Sequence, residues 1–474
     1  MMMKAVSNSI KLFLFAIILL SNCTPNNKMS PLKPNIIYIM ADDLGYGDLG
    51  CYGQNEIKTP HIDKLAEEGI RFTQHYAGST VCAPSRCSLM TGLHTGHTIV
   101  RGNKATPPMG QFPLPAETVT VAKLLKQAGY NTALIGKWGL GGPESTGHPL
   151  NQGFDYFYGY LCQSHAHNYY PEFLFRNHDR IPLNNVLREP KKTNGSGVAI
   201  TKNEYSHDLI ASEALKYIKE HKDDRFFLHL TLTIPHANNE AKEKGMEVPE
   251  YGIYANKDWP EPQKGLAAMI SRMDGDIGKI MNLLKETGID DNTLVIFTSD
   301  NGPHAEGGND PSYFDSNGPY RGIKRDLYEG GIRVPMIARW EGTIAGNTKS
   351  NHISAFWDFL PTACDLGGIA IPEGIDGISY LPELMSEDQP KHEHLYWEFH
   401  EYKGKQAVLL GQWKGVRLKV FENPENEIEL YDLNTDPGEK NNIASDHVDM
   451  VSIIEKIMVS EHEEDQEWPF FKRN

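Results

Sequence analysis

The chain has 474 residues, of which 39% are hydrophobic, 23% charged and 10% aromatic, a globular composition with room for a large core and one or two domains. Its formal net charge is −16 and no basic stripe offsets it, which argues against a nucleic-acid partner. Acidity of this kind still admits a small anionic ligand, which needs only a local cluster of cations, and no repeat period or low-complexity tract points to a fibre or a disordered chain.

Residues 1–23 read as a targeting segment. Lys4 and Lys11 precede the apolar run Leu12–Leu20, which is too short to cross a bilayer. "LLSNC" sets Cys23 where the lipidated cysteine of a bacterial lipobox stands, although Asn22 replaces the usual Ala or Gly; plain secretion with cleavage nearby is the alternative. Residues 24–33 read as a tether, 34–378 as the main domain and 379–474 as a C-terminal subdomain. The expectation is an exported bacterial protein, periplasmic or held at the outer membrane, touching lipid only through its anchor. Export leaves five further cysteines, Cys51, Cys82, Cys87, Cys162 and Cys364. An odd number in an oxidising compartment leaves at least one unpaired or modified, and Cys82 is the candidate.

From residue 34 onward strands and helices alternate. "NIIYIMADD" reads as a buried strand ending on Asp42 and Asp43, "NTALIGKWG" as one ending on Lys137, "FFLHLTLTIPH" on His236, and "TLVIFTSDNG" on Asp300 and Asn301. Between them lie the helical patterns "HIDKLAEEGI", "VTVAKLLKQAG", "HDLIASEALKYIKEH" and "GLAAMISRMDGDIGKIMNLLKETG". The alternation predicts an α/β fold with a mostly parallel sheet between helices, and ligands in such sheets bind beyond the carboxyl ends of the strands. Those ends deliver three aspartates, an asparagine, a lysine and a histidine. Asp42, Asp43, Asp300 and Asn301 offer oxygen alone, which suits Ca²⁺ or Mg²⁺ and not zinc. "DD" by itself is ordinarily a helix cap or a solvated turn; the second acidic strand end is what favours a metal.

The stretch "VCAPSRCSLMTG" reads as a helix start with Pro84 at the first helical position. Cys82 would then sit where free N–H groups and the helix dipole favour an anion, with Arg86 one turn on, and its thiol pKa is expected to be lowered. Spacing leaves open whether the thiol is reactive or merely packed. Farther on, "EHLYWEFHE", "QAVLLGQWKGVRL" and "EIELYDLNTDPG" read as short strands of a small antiparallel sheet, followed by a terminal helix in "HVDMVSIIEKIMVSEHEE". Glu398 and His400 lie in the first of these strands, either facing a substrate hydroxyl or standing as edge-strand polar residues that alternation alone explains.

"CAPSR" followed by "SLMTG" resembles the signature of the formylglycine-dependent sulfatases, and the likeness extends from "PNIIYIMADDLGYGDLGCYG" through "GIKRDLYEGGIRVPMIARW" to "ELYDLNTDPGEKNNIA". The resemblance implies the alkaline phosphatase fold and hydrolysis of a sulfuric ester. It implies that a maturation enzyme oxidises Cys82 to formylglycine, and that Ca²⁺ rather than Mg²⁺ is held by Asp42, Asp43, Asp300, Asn301 and the modified residue 82. By the same resemblance Arg86 holds the nucleophile, Lys137 and Lys324 bind sulfate, and His236 is the general acid at the leaving oxygen. Many members read Lys-Trp-His where this chain reads Lys137-Trp138-Gly139, so the base that frees sulfate has to come from elsewhere. His304 is the first candidate, with His165 and His167 of "CQSHAHNYYP" behind it.

Aromatic residues around "YFYGYLCQSHAHNYYPEF" suit sugar stacking, and the expected substrate is a sulfated mono- or oligosaccharide, cut from an end. "GKWGLGG" and "CQSHAHNYYP" are similar to bacterial sulfatases of galactose-type sugars, with the 4-position as the expected sulfate site. Two other readings stay open: a phosphate or phosphonate ester hydrolase on the same scaffold, and a non-catalytic glycan-binding lipoprotein. Hydrolysis of phosphate esters would favour the first, and an unmodified Cys82 in the native host the second.

Overall fold

The computed structural model describes residues 33–471, so the targeting segment, Cys23 and most of the expected tether lie outside the described residues. Sixteen strands run in chain order. They are β1 (Asn35–Ala41), β2 (Ile70–Tyr76), β3 (Asn131–Lys137), β4 (Tyr156–Tyr160), β5 (Phe173–Arg176), β6 (Asp179–Pro182), β7 (Val186–Leu187), β8 (Ala199–Thr201), β9 (Phe226–Thr231), β10 (Thr293–Ser299), β11 (Arg333–Arg339), β12 (Thr348–Ala355), β13 (Leu395–Phe399), β14 (Lys405–Leu410), β15 (Trp413–Leu418) and β16 (Ile428–Asp432).

Ten of them form one sheet in the order β12-β2-β11-β10-β1-β9-β3-β4-β5-β6. The centre, β10-β1-β9-β3-β4, is parallel throughout. Parallel strands need helical crossovers that cover both faces, which is why the central strands are continuous apolar runs and not alternating ones. In β1 every residue is buried. Ile37, Ile39 and Ala41 face a core shared with the helices Ser206–Glu220 and Glu261–Thr287, while Ile36, Tyr38 and Met40 face one shared with Cys82–Thr91, Val121–Gln127 and Phe359–Gly367. The expected crossover helices are all present.

β13 to β16 make a second, wholly antiparallel sheet, with the helix Val448–Ser460 packed on it. The run "QAVLLGQWKGVRL" divides into two strands, β14 and β15, rather than continuing as one. Strands β7 and β8 form a small separate pair. Among the described residues no helix is long and apolar enough to cross a membrane.

Candidate active site

The parallel strands end in one place. Asp42 and Asp43 follow β1, Asp300 and Asn301 follow β10, Lys137 ends β3, and His236 lies five residues beyond β9. The sheet register fixes this: Ala41 pairs with Ser299, so the two acidic turns leave the sheet at the same level. The helix Cys82–Thr91 points its N-terminus into the same spot and places Cys82 beside Asp42 and His236. Cys82 is itself the first helical residue, with Pro84 in third place, where its missing N–H is still one of the helix's unpaired donors. Ser85 locks the helix to β10 by donating from Oγ to the Asp300 carbonyl at 2.6 Å.

Charge at the site is tightly paired. The buried guanidinium of Arg86 reaches Asp300 Oδ2 from Nη2 at 2.7 Å and from Nε at 3.2 Å, and donates from Nη1 to the Lys137 carbonyl at 2.8 Å. Lys137 Nζ meets Asp42 Oδ2 at 2.7 Å, and Lys324 Nζ meets Asp43 Oδ2 at 2.7 Å. Asp43 has φ +65°, a left-handed backbone that a non-glycine residue rarely adopts and that aims its carboxylate at Asn301 Nδ2, 2.7 Å away.

The donor set fits a hard cation. Ligand oxygens of Asp42, Asp43 and Asp300 lie within 4.8 Å of one another, and all three residues are buried. Asp42 Oδ1 and Asn301 Oδ1 are buried without a hydrogen-bond partner among the described residues, a costly condition that a coordinated ion would relieve. Burial and the neighbouring Asp42 push the Asp300 carboxyl up to about 7, whereas Lys324 holds Asp43 down at about 2 against its own burial. An all-oxygen set of this kind suits Ca²⁺ or Mg²⁺.

The Cys82 thiol departs from expectation. Its pKa is pushed up to about 12, because complete burial, reinforced by Asp42 and Asp300, outweighs the pull of Lys137 and Lys324. The helix N-terminus does not make it a thiolate. None of Cys51, Cys82, Cys87, Cys162 and Cys364 is in a disulfide.

His236 is buried, and burial followed by the Lys324 charge holds its pKa well below the ordinary imidazole value. Its Nδ1 lies 2.7 Å from the Ala237 carbonyl and must carry the proton there, so Nε2 is bare and accepts from Lys324 Nζ at 3.0 Å. The nearest proton thus belongs to Lys324. His167 stacks on His236, ring centroids 4.8 Å apart and planes 13° apart, and so joins the site.

Four expected residues do other work. His304 is next to His236, but its Nε2 lies 3.1 Å from the Pro235 carbonyl and its Nδ1 accepts from the Glu306 N–H at 3.0 Å. Both nitrogens are tied to backbone, so it anchors the turn and does not supply the missing base. His165 packs edge-on to Tyr160 and against Phe173, outside the site, with burial pushing its pKa down to about 3. Glu398 is fully buried, hydrogen-bonded to His400 Nε2 at 2.9 Å and Tyr396 Oη at 2.6 Å; the two residues belong to an internal hydrogen-bond network rather than to a substrate contact or a solvated edge.

Three residues escaped sequence reasoning. Glu306 meets Lys324 at 3.3 Å and pairs with Arg325, and Lys324 holds its carboxyl well below the usual range; its one signal is that it lies two residues after His304. Gly139, at φ +86°, leaves room for Gln163: a Cβ there would lie 2.9 Å from Gln163 Nε2. Gln163 donates in turn to Asn103 Oδ1 at 3.2 Å, which also accepts from the Ala83 N–H at 3.2 Å, so two amides stand where a histidine was expected.

The sulfatase family model matches residues 34–369, and the model described as N-sulphoglucosamine sulphohydrolase, C-terminal, matches 321–466. The chain is 31% identical to an N-acetylgalactosamine-6-O-sulfatase of Bacteroides thetaiotaomicron, over 97% of this chain and 99% of the relative. It is 34% identical to human arylsulfatase D, over 83% and 75% of the two chains. Among solved structures it is similar to Ps i-CgsB in complex with k-i-k-neocarrahexaose, with a TM-score of 0.76, 27% identity and coverage of 91% and 94%.

Proposed function

The chain belongs to the sulfatase family and is a sulfuric-ester hydrolase, and on that premise we propose that it removes a 6-O-sulfate from N-acetylgalactosamine or a related galactose-type sugar at the end of a glycan. The relative named for the 6-position moves the reading away from the 4-position expected from the sequence. The observation that carries the reading is the cluster of paired charges around Cys82, buried except at its Glu306–Arg325 rim. Four carboxylates (Asp42, Asp43, Asp300, Glu306) balance four cations (Arg86, Lys137, Lys324, Arg325), so a divalent ion would leave the site positive and ready for a sulfate ester.

Asp42, Asp43, Asp300 and Asn301 would hold Ca²⁺, with residue 82 beside them; the ion supplies Lewis-acid chemistry at the sulfate oxygens. Formylglycine at position 82 supplies an oxygen nucleophile in place of a thiol that burial keeps protonated. The chain's own groups do the rest. Arg86 fixes Asp300 and the carboxyl end of β3, Lys137 and Lys324 would meet the sulfate with their ammonium groups, and the Lys324–His236 pair would supply the proton that the departing alcohol takes up. Residues 1–23 support an exported, lipid-anchored protein, which suits glycan breakdown outside the cytoplasm.

The test is sulfate release from a panel of galactose, N-acetylgalactosamine, glucosamine and fucose, each sulfated at one position, with a phosphate monoester beside them. Release from the 6-sulfated galactose-type sugars supports the reading. Faster release from the 4-sulfates, or from the phosphate ester, would replace it.

A further inference from the structure

Beyond Asp300 and Asn301, the loop after β10 returns one more carboxylate to the site, that of Glu306. Three anchors hold it there. His304 accepts the Glu306 N–H on Nδ1 at 3.0 Å, so its proton is on Nε2, which donates to the Pro235 carbonyl at 3.1 Å. One imidazole thus staples the loop that carries Glu306 to the turn that carries His236. Gly307 closes on the same turn: a Cβ there would lie 2.5 Å from the Ala237 side chain. Arg325 takes the outer carboxylate oxygen, Oε1. Neighbouring side chains of an extended chain diverge, but Arg325 has φ +78°, and this left-handed turn lets Lys324 and Arg325 reach one carboxylate.

The inner oxygen, Oε2, completes the surroundings of Lys324. A lysine ammonium has three N–H donors. Around the buried Lys324 Nζ stand three acceptors and no more among the described residues: Asp43 Oδ2 at 2.7 Å, His236 Nε2 at 3.0 Å and Glu306 Oε2 at 3.3 Å. Each N–H has one of them. Glu306 Oε2 is 3.9 Å from His236 Nε2, beyond hydrogen-bond reach, and that nitrogen is bare, so the carboxylate acts on His236 only through Lys324. With two N–H groups drawn to carboxylates, the third is left pointing at the imidazole.

Resting on the sulfatase reading, we propose that Glu306 is a positioning residue: together with Asp43 it fixes the Lys324 ammonium so that one N–H stays aimed at His236 Nε2, where the departing alcohol collects its proton. That proton passes to the alcohol oxygen as its bond to sulfur breaks, and water restores it to the pair. Glu306 touches neither the ester nor the ion in this role.

The test uses two variants of the full, matured chain. Glu306→Gln keeps the shape but has one oxygen for two cations, so it cannot accept from Lys324 and Arg325 together. Glu306→Asp keeps the charge and withdraws it by one methylene. The expected result on 6-sulfated N-acetylgalactosamine is a kcat at least about tenfold lower in both variants, the scale of a misplaced proton donor. KM should not rise in Glu306→Gln, because the site has lost a negative charge, and should stay within about twofold in Glu306→Asp. A carboxylate that only sets the charge of the site would leave kcat intact in Glu306→Asp. One that only holds the fold would raise KM as kcat falls. Either result overturns the positioning role. Histidine ¹⁵N spectra of the calcium-loaded proteins, with His236 assigned through His236→Gln, read the contact without any turnover. The His236 Nε2 resonance should move toward that of a free lone pair in both variants. A moved resonance with no sulfate released from any sugar ester refutes the sulfatase specificity and keeps the positioning role. An unmoved resonance refutes the positioning role whatever the activity.

Discussion

Arg86 is the most informative residue to remove, because its removal separates the chain's own charge balance from that of the metal. Its guanidinium is buried, makes two hydrogen bonds to Asp300 and one to the Lys137 carbonyl, and stands 3.7 Å from Asp42. Arg86→Met keeps an unbranched chain of similar length but strands Asp300 beside Asp42 and Asp43. Breaking a buried ion pair from one side costs about 3–5 kcal/mol, because the remaining charge is left uncompensated. Calcium at a hundred times its dissociation constant stabilises the native state by about 2.7 kcal/mol. In the variant its effect should be larger, since the ion then meets three carboxylates with one cation fewer around them. Urea denaturation of both proteins, in chelator and in saturating calcium, measures each term. The expected pattern is a loss of about 3–5 kcal/mol in chelator that narrows in calcium. A loss below about 1 kcal/mol, or a calcium effect no larger than in the wild type, would refute the argument that Arg86 and the ion neutralise the same carboxylates.

Other perturbations follow from the same geometry. Lys324→Met removes one preorganised cation from the sulfate side and should lower kcat by about 10²–10³-fold in steady-state sulfate release; a loss under tenfold would remove Lys324 from the reaction. His75, His165 and His229 are each held near a pKa of about 3 by burial, whereas the unfolded chain protonates them below about 6.5. The unfolded state therefore binds more protons as pH falls through 6.5, and stability present above that pH is lost below it, together by about 4 kcal/mol between pH 7.5 and 5.5. Urea midpoints at the two pH values test this, and His165→Met should remove about a third of the drop. Gly139→His meets both a left-handed backbone and Gln163, and should cost about 1–2 kcal/mol of stability without raising activity; a gain in turnover would show that the position still accepts the imidazole of other members.

Much of this architecture could be read in the sequence because it rests on local pattern. Continuous apolar runs such as "NIIYIM" and "TLVIFTS" mark buried parallel strands, and the polar residues that end them collect at one edge by topology alone. The reading failed where an outcome depends on what surrounds a residue in three dimensions. The helix N-terminus at Cys82 predicted an acidic thiol, but burial decided the opposite. His304 looked available in one dimension, yet two backbone partners claim its nitrogens. Glu398 sits in a strand at the sheet edge, where alternation suggests a solvated side chain, but Tyr396, His400 and His462 claim its carboxylate and it is buried. Gln163 gave no signal, because its approach to Gly139 depends on a strand and a helix that meet only in the fold.

On the proposed reading, oxidation of residue 82 is what makes this site a sulfuric-ester hydrolase. The direct measurement is sulfate release from 6-sulfated N-acetylgalactosamine in calcium, by protein made with and without the maturation enzyme, with conversion of Cys82 read by mass spectrometry. The expected result is a rate proportional to the converted fraction and none from Cys82→Ala. Equal rates from unconverted and converted protein, or release by Cys82→Ala, would contradict it.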